Sequence, residues 1–175
     1  KHRIARLEGR GTLAAGREGP LQFLVNATGL QFAETRIDTL QLSGNGTRAR
    51  HVLEGSATGR DATAVLRATG GIDRHARWIG TLDQLETGLP WLLRLNGPAQ
   101  VTAGRDLLII DQLRGTLFDG EFGPASLRAE NGRIDTQGAF RGVAAGHLLP
   151  HGNGLESDNL RLGGEWSLKL NDVVN

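Results

Sequence analysis

Two histidines have the spacing most suggestive of chemistry in this sequence. His147 and His151 stand four residues apart in the segment HLLPH, and on a helix that spacing would place both rings on one face, where they could bind zinc. Pro150 would break such a helix, and no glutamate follows the first histidine, so the zinc-protease pattern is incomplete. We therefore interpret the segment as a solvated loop and predict neither a metal site nor a cofactor.

The other polar residues do not form a catalytic pattern. Carboxylate pairs such as Asp119 with Glu121, and Glu156 with Asp158, fall at strand edges or in loops, where a solvated surface role is usual. The serines lack the Gly-x-Ser-x-Gly turn of hydrolases, and the absence of cysteine excludes thiolate nucleophiles, thiolate zinc sites and disulfides. Three further histidines stand beside arginines and are expected at the surface: His2, His51 and His75. We predict that the protein is not an enzyme.

The charge balance and hydropathy exclude several classes of partner and location. Lys and Arg number 20 and Asp and Glu number 19, so the net charge of +1 does not predict nucleic acid as a partner. No run of about 18 consecutive apolar residues predicts a membrane-spanning helix, and the first residues lack the apolar core of a signal peptide. Because methionine is absent, we expect the chain to be a fragment of a longer protein.

Alternation of apolar and polar residues is the main structural signal. It recurs in LQFLVNATG, DTLQLSGNG, HVLEGSATG, DATAVLRATGG and LRLGGEWSLKL, and it predicts strands with one dry and one wet face. Glycine is abundant, at 26 of 175 residues, which we attribute to turns, bulges and strand ends. Four dipeptides of the kind that closes tight turns occur: Asn45-Gly46, Asn96-Gly97, Asp119-Gly120 and Asn131-Gly132.

Helical and loop segments are few. One helical turn is predicted around Leu82 and Leu85, another within AFRGVAAGHLL, and residues 146–159 form the longest predicted loop. We predict a single all-β segment over residues 1–175. Its antiparallel strands either curl into a trough with an apolar interior or close on each other as a β-sandwich.

A series of short motifs carries a family resemblance. A Trp-x-Gly-x-Leu element begins at Trp78, a Pro-Trp-x-Leu element follows at Pro90, and an apolar run then ends at Pro98. The closing segment LRLGGEWSLKL contains a Gly-x-Trp strand. In this order the elements resemble the TamB family (translocation and assembly module subunit), a branch of the AsmA-like proteins.

The resemblance implies both a fold and a function. It implies an elongated curled antiparallel sheet, the β-taco, in the periplasmic region of a longer protein anchored in the inner membrane of a Gram-negative bacterium. The expected function is that of a non-enzymatic, envelope-spanning scaffold whose trough carries phospholipid acyl chains between the inner and outer membranes and supports outer-membrane biogenesis. A TamA-like outer-membrane barrel protein is the expected partner.

The sequence is also compatible with two other functions. In one, the protein is a chaperone or assembly platform for outer-membrane β-barrel or autotransporter proteins, which would pair with its exposed strand edges. In the other, it is a structural sandwich with a closed core and binds neither lipid nor peptide.

Strand parity predicts which side chains would line a trough. About a dozen strands spaced at about 4.8 Å would give a trough on the order of 60 Å long. The lipid-groove candidates are Leu21, Phe23, Val25, Leu40, Leu42, Leu53, Leu66, Trp78, Leu82, Trp91, Leu93, Leu95, Leu108, Ile110, Trp166 and Leu168.

Overall fold

The computed structural model describes residues 2–32, 35–60, 62–88, 92–144 and 160–171. Within these ranges all regular secondary structure is β-strand, and thirteen strands form one curled antiparallel sheet. The predicted all-β fold with a curled antiparallel sheet is confirmed, and the predicted loop at 146–159 lies outside the described residues.

The strands follow one another along the chain with short connections. Their bounds are β1 His2–Arg3, β2 Arg6–Leu13, β3 Pro20–Phe32, β4 Thr35–Thr47, β5 His51–Thr58, β6 Thr63–Ile72, β7 Trp78–Thr87, β8 Leu93–Leu95, β9 Ala99–Ala103, β10 Leu107–Leu117, β11 Gly120–Glu130, β12 Arg133–Ala144 and β13 Arg161–Leu170. Strand order in the sheet follows chain order, except that β1 and β2 both pair with β3, and β8 and β9 both lie between β7 and β10. The resulting eleven positions span about 50 Å, somewhat less than the expected length.

The molecule is far more open than a closed sandwich. Its accessible surface is 12328 Å², whereas a compact monomer of its mass of 18.7 kDa would expose about 8,300 Å². The buried apolar residues are mostly small: Leu21, Ala27, Leu30, Ala68, Ala99, Ala125, Val143 and Ala144. A second sheet packed on the first does not occur in the described ranges, so the apolar side of the sheet stays open.

Extra residues in the strands bend the sheet. In β7 the pairing jumps from Arg67 opposite Gln84 to Ala68 opposite Leu82, so one residue bulges out of the ladder. Similar register shifts occur in β10, β11 and β12. Because bulges increase local twist and bend the strand, they favour a curled sheet over a flat one.

The bulges also explain a wrong prediction. Leu82 and Leu85 are three residues apart, a spacing typical of a helical turn, yet both lie in β7, and Leu85 pairs with Leu66. The inserted residue changes the apolar spacing from two to three without changing the face. The second predicted helical turn is also wrong over its described part, because residues 139–144 belong to β12.

The predicted turns are mostly correct. Three of the dipeptides lie where strands connect, and Asn131 and Gly132 have φ values of 50° and 77°, as a tight hairpin turn requires. The prediction for Asn45-Gly46 is wrong, because both residues lie within β4, opposite Gln22 and Leu21.

Candidate functional site

The strand register gathers the apolar side chains on one face of the sheet. Residues directly opposite each other in antiparallel strands have their side chains on the same face. Phe23 lies opposite Gly44, Gly44 opposite Leu53, and Leu53 opposite Ala68. Ala68 in turn lies opposite Leu82. We call the face that carries Phe23 and the residues in register with it the trough face.

Fifteen of the sixteen lipid-groove candidates lie on the trough face, and Trp91 lies outside the described residues. Leu21 is buried, whereas Leu168 on the last strand is 47% exposed. The other described candidates are partly exposed. The candidates therefore line an open surface instead of filling a sealed core.

The regular alternation of faces along β3 is interrupted at Gly29. At Gly29, where φ is +63°, the backbone departs from extended geometry. Leu30 is consequently buried, at 4% exposure, although simple alternation from Phe23 would place Gln31 on the apolar side. Gln31 is exposed instead. Beyond the bend Leu30 lies opposite Ile37 and Gln31 opposite Arg36, so alternation from Phe23 no longer assigns the apolar side chains to one face.

Charged side chains lie on the opposite face and along the edges. In β2, and from Leu40 of β4 onward to β13, no described residue in register on the trough face carries a charge, and its polar members are His51, Thr87 and Thr136. Arg36 and Asp38 alternate with Leu40 on β4, but they lie at the end of the strand beside the bend at Gly29. The opposite face carries cross-strand ion pairs such as Arg67 with Glu54, at 2.5 Å. Exposed pairs of this kind contribute about 0–1 kcal/mol each. Their main effect is to keep that face hydrated.

Aromatic side chains on the trough face cover glycines of neighbouring strands. A β-carbon at Gly70 would lie 2.5 Å from Trp78 Cζ2, and one at Gly115 would lie 2.6 Å from Phe122 Cε1. The same arrangement places Phe23 against Gly44 and Trp166 against Gly138. Each glycine leaves room for a ring against the sheet, so the rings do not project fully into the trough.

These contacts give some glycines a role in addition to the turns, bulges and strand ends predicted from the sequence. Gly44, Gly70, Gly115 and Gly138 lie within strands on the trough face, not at turns or strand ends. Alternating polarity within one strand cannot predict these contacts. They depend on which aromatic residue of the neighbouring strand lies beside each glycine, and therefore on the strand register.

One polar residue is buried within the trough face. His51 is 3% exposed, so the prediction of a surface position is wrong. Trp78 Nε1 donates a hydrogen bond to His51 Nε2 at 2.9 Å, and because an indole N–H can only donate, Nε2 is the acceptor. The other ring nitrogen, Nδ1, then donates to the Thr47 carbonyl oxygen at 2.9 Å. The imidazole is neutral in this arrangement, and Gly46 and Gly70 opposite it leave room for the ring.

Asp119, one of the carboxylates singled out in the sequence, holds strand ends together. Asp119 accepts hydrogen bonds from Arg161 Nη1 and from the Ala144 N–H, which connects the β10–β11 turn to the ends of β12 and β13. Desolvation acts to raise the pKa of Asp119, but these two hydrogen bonds and the Arg161 charge lower it overall. The pair Glu156 and Asp158, and the pair His147 and His151, lie outside the described residues.

Other kinds of site receive no support from the described part of the chain. It contains no group of three or more His, Asp or Glu side chains arranged to hold a metal ion. It also contains no helix that is long and apolar enough to span a membrane. No protein-family model matches the chain, and neither a curated protein nor a solved structure does. The trough face is therefore the candidate functional site.

Proposed function

We propose that the trough face binds phospholipid acyl chains and that the protein is a non-enzymatic scaffold carrying lipid between the inner and outer membranes. The observation that supports this most strongly is the apolar face that runs from β2 to β13 in the described residues, with charged side chains only at the strand end that holds Arg36 and Asp38. The resemblance to the TamB family supplies the rest of the proposal: a periplasmic location, an inner-membrane anchor elsewhere in a longer protein, and a TamA-like partner.

The size of the open face supports a ligand. Strands of about ten residues are about 33 Å long, and with the sheet's length of about 50 Å the face covers on the order of 1,000 Å². Monomeric soluble proteins rarely expose apolar patches larger than a few hundred Å². Each acyl CH₂ that leaves water for such a surface contributes about 0.8 kcal/mol. An acyl chain is therefore a suitable ligand for this face.

The uniformity of the lining supports movement of lipid along the trough. Similar aliphatic groups recur from strand to strand, such as Leu42, Leu53 and Leu66 on β4, β5 and β6. A chain that slides across them exchanges one apolar contact for an equivalent one. The acyl chain therefore meets no strongly favoured position along these strands.

A specific feature favours strand templating as a second candidate function. All eight residues of β2 are exposed, and within the described residues β2 pairs only with β3, so it offers a free backbone edge for β-augmentation. However, Arg6, Glu8 and Arg10 project from this edge strand, and charges of this kind commonly protect edges from unwanted pairing. Lipid binding therefore stands first.

Energy transfer from tryptophan to a lipid with a parinaroyl chain tests the proposal. We expect titration of the protein with parinaroyl phosphatidylcholine to quench tryptophan emission and sensitise parinaroyl emission, because Trp78 and Trp166 lie on the trough face. A phosphatidylcholine with the same headgroup but four-carbon chains is the control, and it should not compete. Absence of energy transfer at lipid concentrations below those that form bilayers would contradict the proposal.

A further inference from the structure

Backbone hydrogen bonds connect three turns that lie at the same end of the strands. The turns join β2 to β3, β4 to β5, and β6 to β7. The Arg48 N–H donates to the Gly19 carbonyl oxygen at 3.1 Å, and the Ala49 N–H donates to the Arg17 carbonyl oxygen at 2.9 Å. The Ile72 N–H donates to the Arg48 carbonyl oxygen at 2.7 Å. The backbone therefore fixes the relative positions of the three turns.

A strongly cationic cavity lies between these turns. Its volume is about 620 Å³, and its lining includes four arginines but one carboxylate. The residues that give the cavity its charge are Arg17, Arg48, Arg74, Arg77 and Asp73. We call it the arginine cavity.

The one carboxylate is fully engaged by its own turn. Asp73 Oδ2 accepts hydrogen bonds from Arg77 Nη2 at 2.8 Å and from Arg77 Nε at 3.0 Å. Asp73 Oδ1 accepts the N–H groups of His75 and Arg77 at 2.7 and 2.9 Å. The Arg77 backbone N–H, with the Arg77 side chain and the His75 N–H, lowers the pKa of Asp73 to about 2 against a smaller opposing effect of desolvation. Asp73 therefore neutralises Arg77 alone.

Among the residues that the structure describes, the remaining arginines of the cavity have no anionic partner. Within the described residues, Arg17, Arg48 and Arg74 form no ion pair, and Arg48 is nevertheless partly buried. At the opposite ends of the strands, by contrast, Arg36 pairs with Asp38 and Arg161 with Asp119. An unpaired guanidinium cluster is suited to a phosphate, because arginine can donate two parallel hydrogen bonds to it.

The arginine cavity adjoins the trough face. Ile72 lines the cavity, and it lies opposite Trp78 on the trough face. A molecule whose phosphate occupies the cavity can therefore extend an apolar chain past Ile72 and Trp78 into the trough. We infer that the arginine cavity binds the headgroup phosphate of an anionic lipid whose acyl chains lie on the trough face, an inference that rests on the proposed function.

Variants within one turn provide the test. We expect Arg48→Gln to weaken the binding of dihexanoyl phosphatidylglycerol on the order of tenfold, because it removes a charge-assisted contact to phosphate. Arg50→Gln removes the same charge from the same turn, but Arg50 does not line the cavity, so this variant should bind as the wild type does. Titration calorimetry on the full-length protein gives both affinities, and circular dichroism establishes that the variants are folded.

Two further ligands separate the outcomes. We expect dihexanoyl phosphatidylcholine to bind more weakly than the anionic lipid and to be less affected by Arg48→Gln, because its choline cation faces the arginines. Equal loss in both arginine variants, or no loss in either while both lipids still bind, would overturn the headgroup site but not the proposed function. Inorganic phosphate that binds as tightly as the anionic lipid would identify a free-phosphate site instead. If neither lipid binds, both the inference and the proposed function are wrong.

Discussion

Replacement of Leu66 with aspartate is expected to weaken acyl-chain binding strongly while the protein remains folded. Leu66 lies on the trough face between Gly55 and Leu85 and is partly exposed, so in the lipid-free protein a carboxylate at this position reaches water. A bound acyl chain would remove that water and leave an uncompensated charge, at a cost of at least about 3 kcal/mol. Because about 1.4 kcal/mol corresponds to a factor of ten, we expect affinity to fall on the order of 100-fold.

The adjacent residue supplies the matched control for this variant. Val65 is also apolar in the wild type, but it faces the opposite side of the sheet, where it is 45% exposed opposite Ser56. Val65→Asp should leave parinaroyl lipid binding unchanged. Equal loss of binding in Val65→Asp and Leu66→Asp, with both proteins folded, would mean that the trough face is not the binding surface.

Replacement of Gly138 with valine is expected to have the largest effect on stability. A β-carbon at Gly138 would overlap the ring of Trp166 and would lie 2.8 Å from Ala125 Cβ. The ring must then leave the sheet surface and project into the trough. Overpacking of this kind costs about 1–3 kcal/mol in the free energy of unfolding. Denaturant unfolding measures the loss, and tryptophan emission should shift to longer wavelength as Trp166 becomes more exposed.

The control for Gly138→Val lies on the partner strand. Gly163 is an exposed glycine of β13, and the nearest atom to a β-carbon at this position is the Phe140 carbonyl oxygen, at 3.3 Å. Gly163→Val should change stability by less than about 1 kcal/mol, because a β-branched residue suits an exposed strand position. If Gly138→Val is as stable as Gly163→Val, the aromatic–glycine contacts do not shape the trough.

Much of the fold was predictable because strand periodicity is a local property. Alternation assigns a face to each side chain within a strand, and a strand such as β5 pairs with β6 over its full length without a shift. Fifteen candidates chosen by parity consequently lie on one face. Bulges are the exception: the spacing of Leu82 and Leu85 can be read as either a helical turn or a strand with one inserted residue, and only the partner strand decides between them.

Features that depend on several strands could not be predicted. His51 stands beside Arg50 in the sequence, which suggests a surface residue, yet the hydrogen bond from Trp78 and the glycines opposite it bury the ring. The arginine cavity combines Arg17, Arg48 and Arg74 from three separate turns. No spacing in the sequence indicates that these turns meet, because the strand lengths and the register bring them together.

Photo-crosslinking at two adjacent positions tests the central claim most directly. Phe23 lies on the trough face, and Leu24, also apolar, lies on the opposite face between Arg10 and Ser43. A photoreactive phenylalanine analogue is placed at each position in turn in the full-length protein in living cells. We expect lipid adducts at Phe23 and none at Leu24. Peptide adducts alone at Phe23, or no adduct there in a folded protein, would contradict the account of the trough as a lipid conduit.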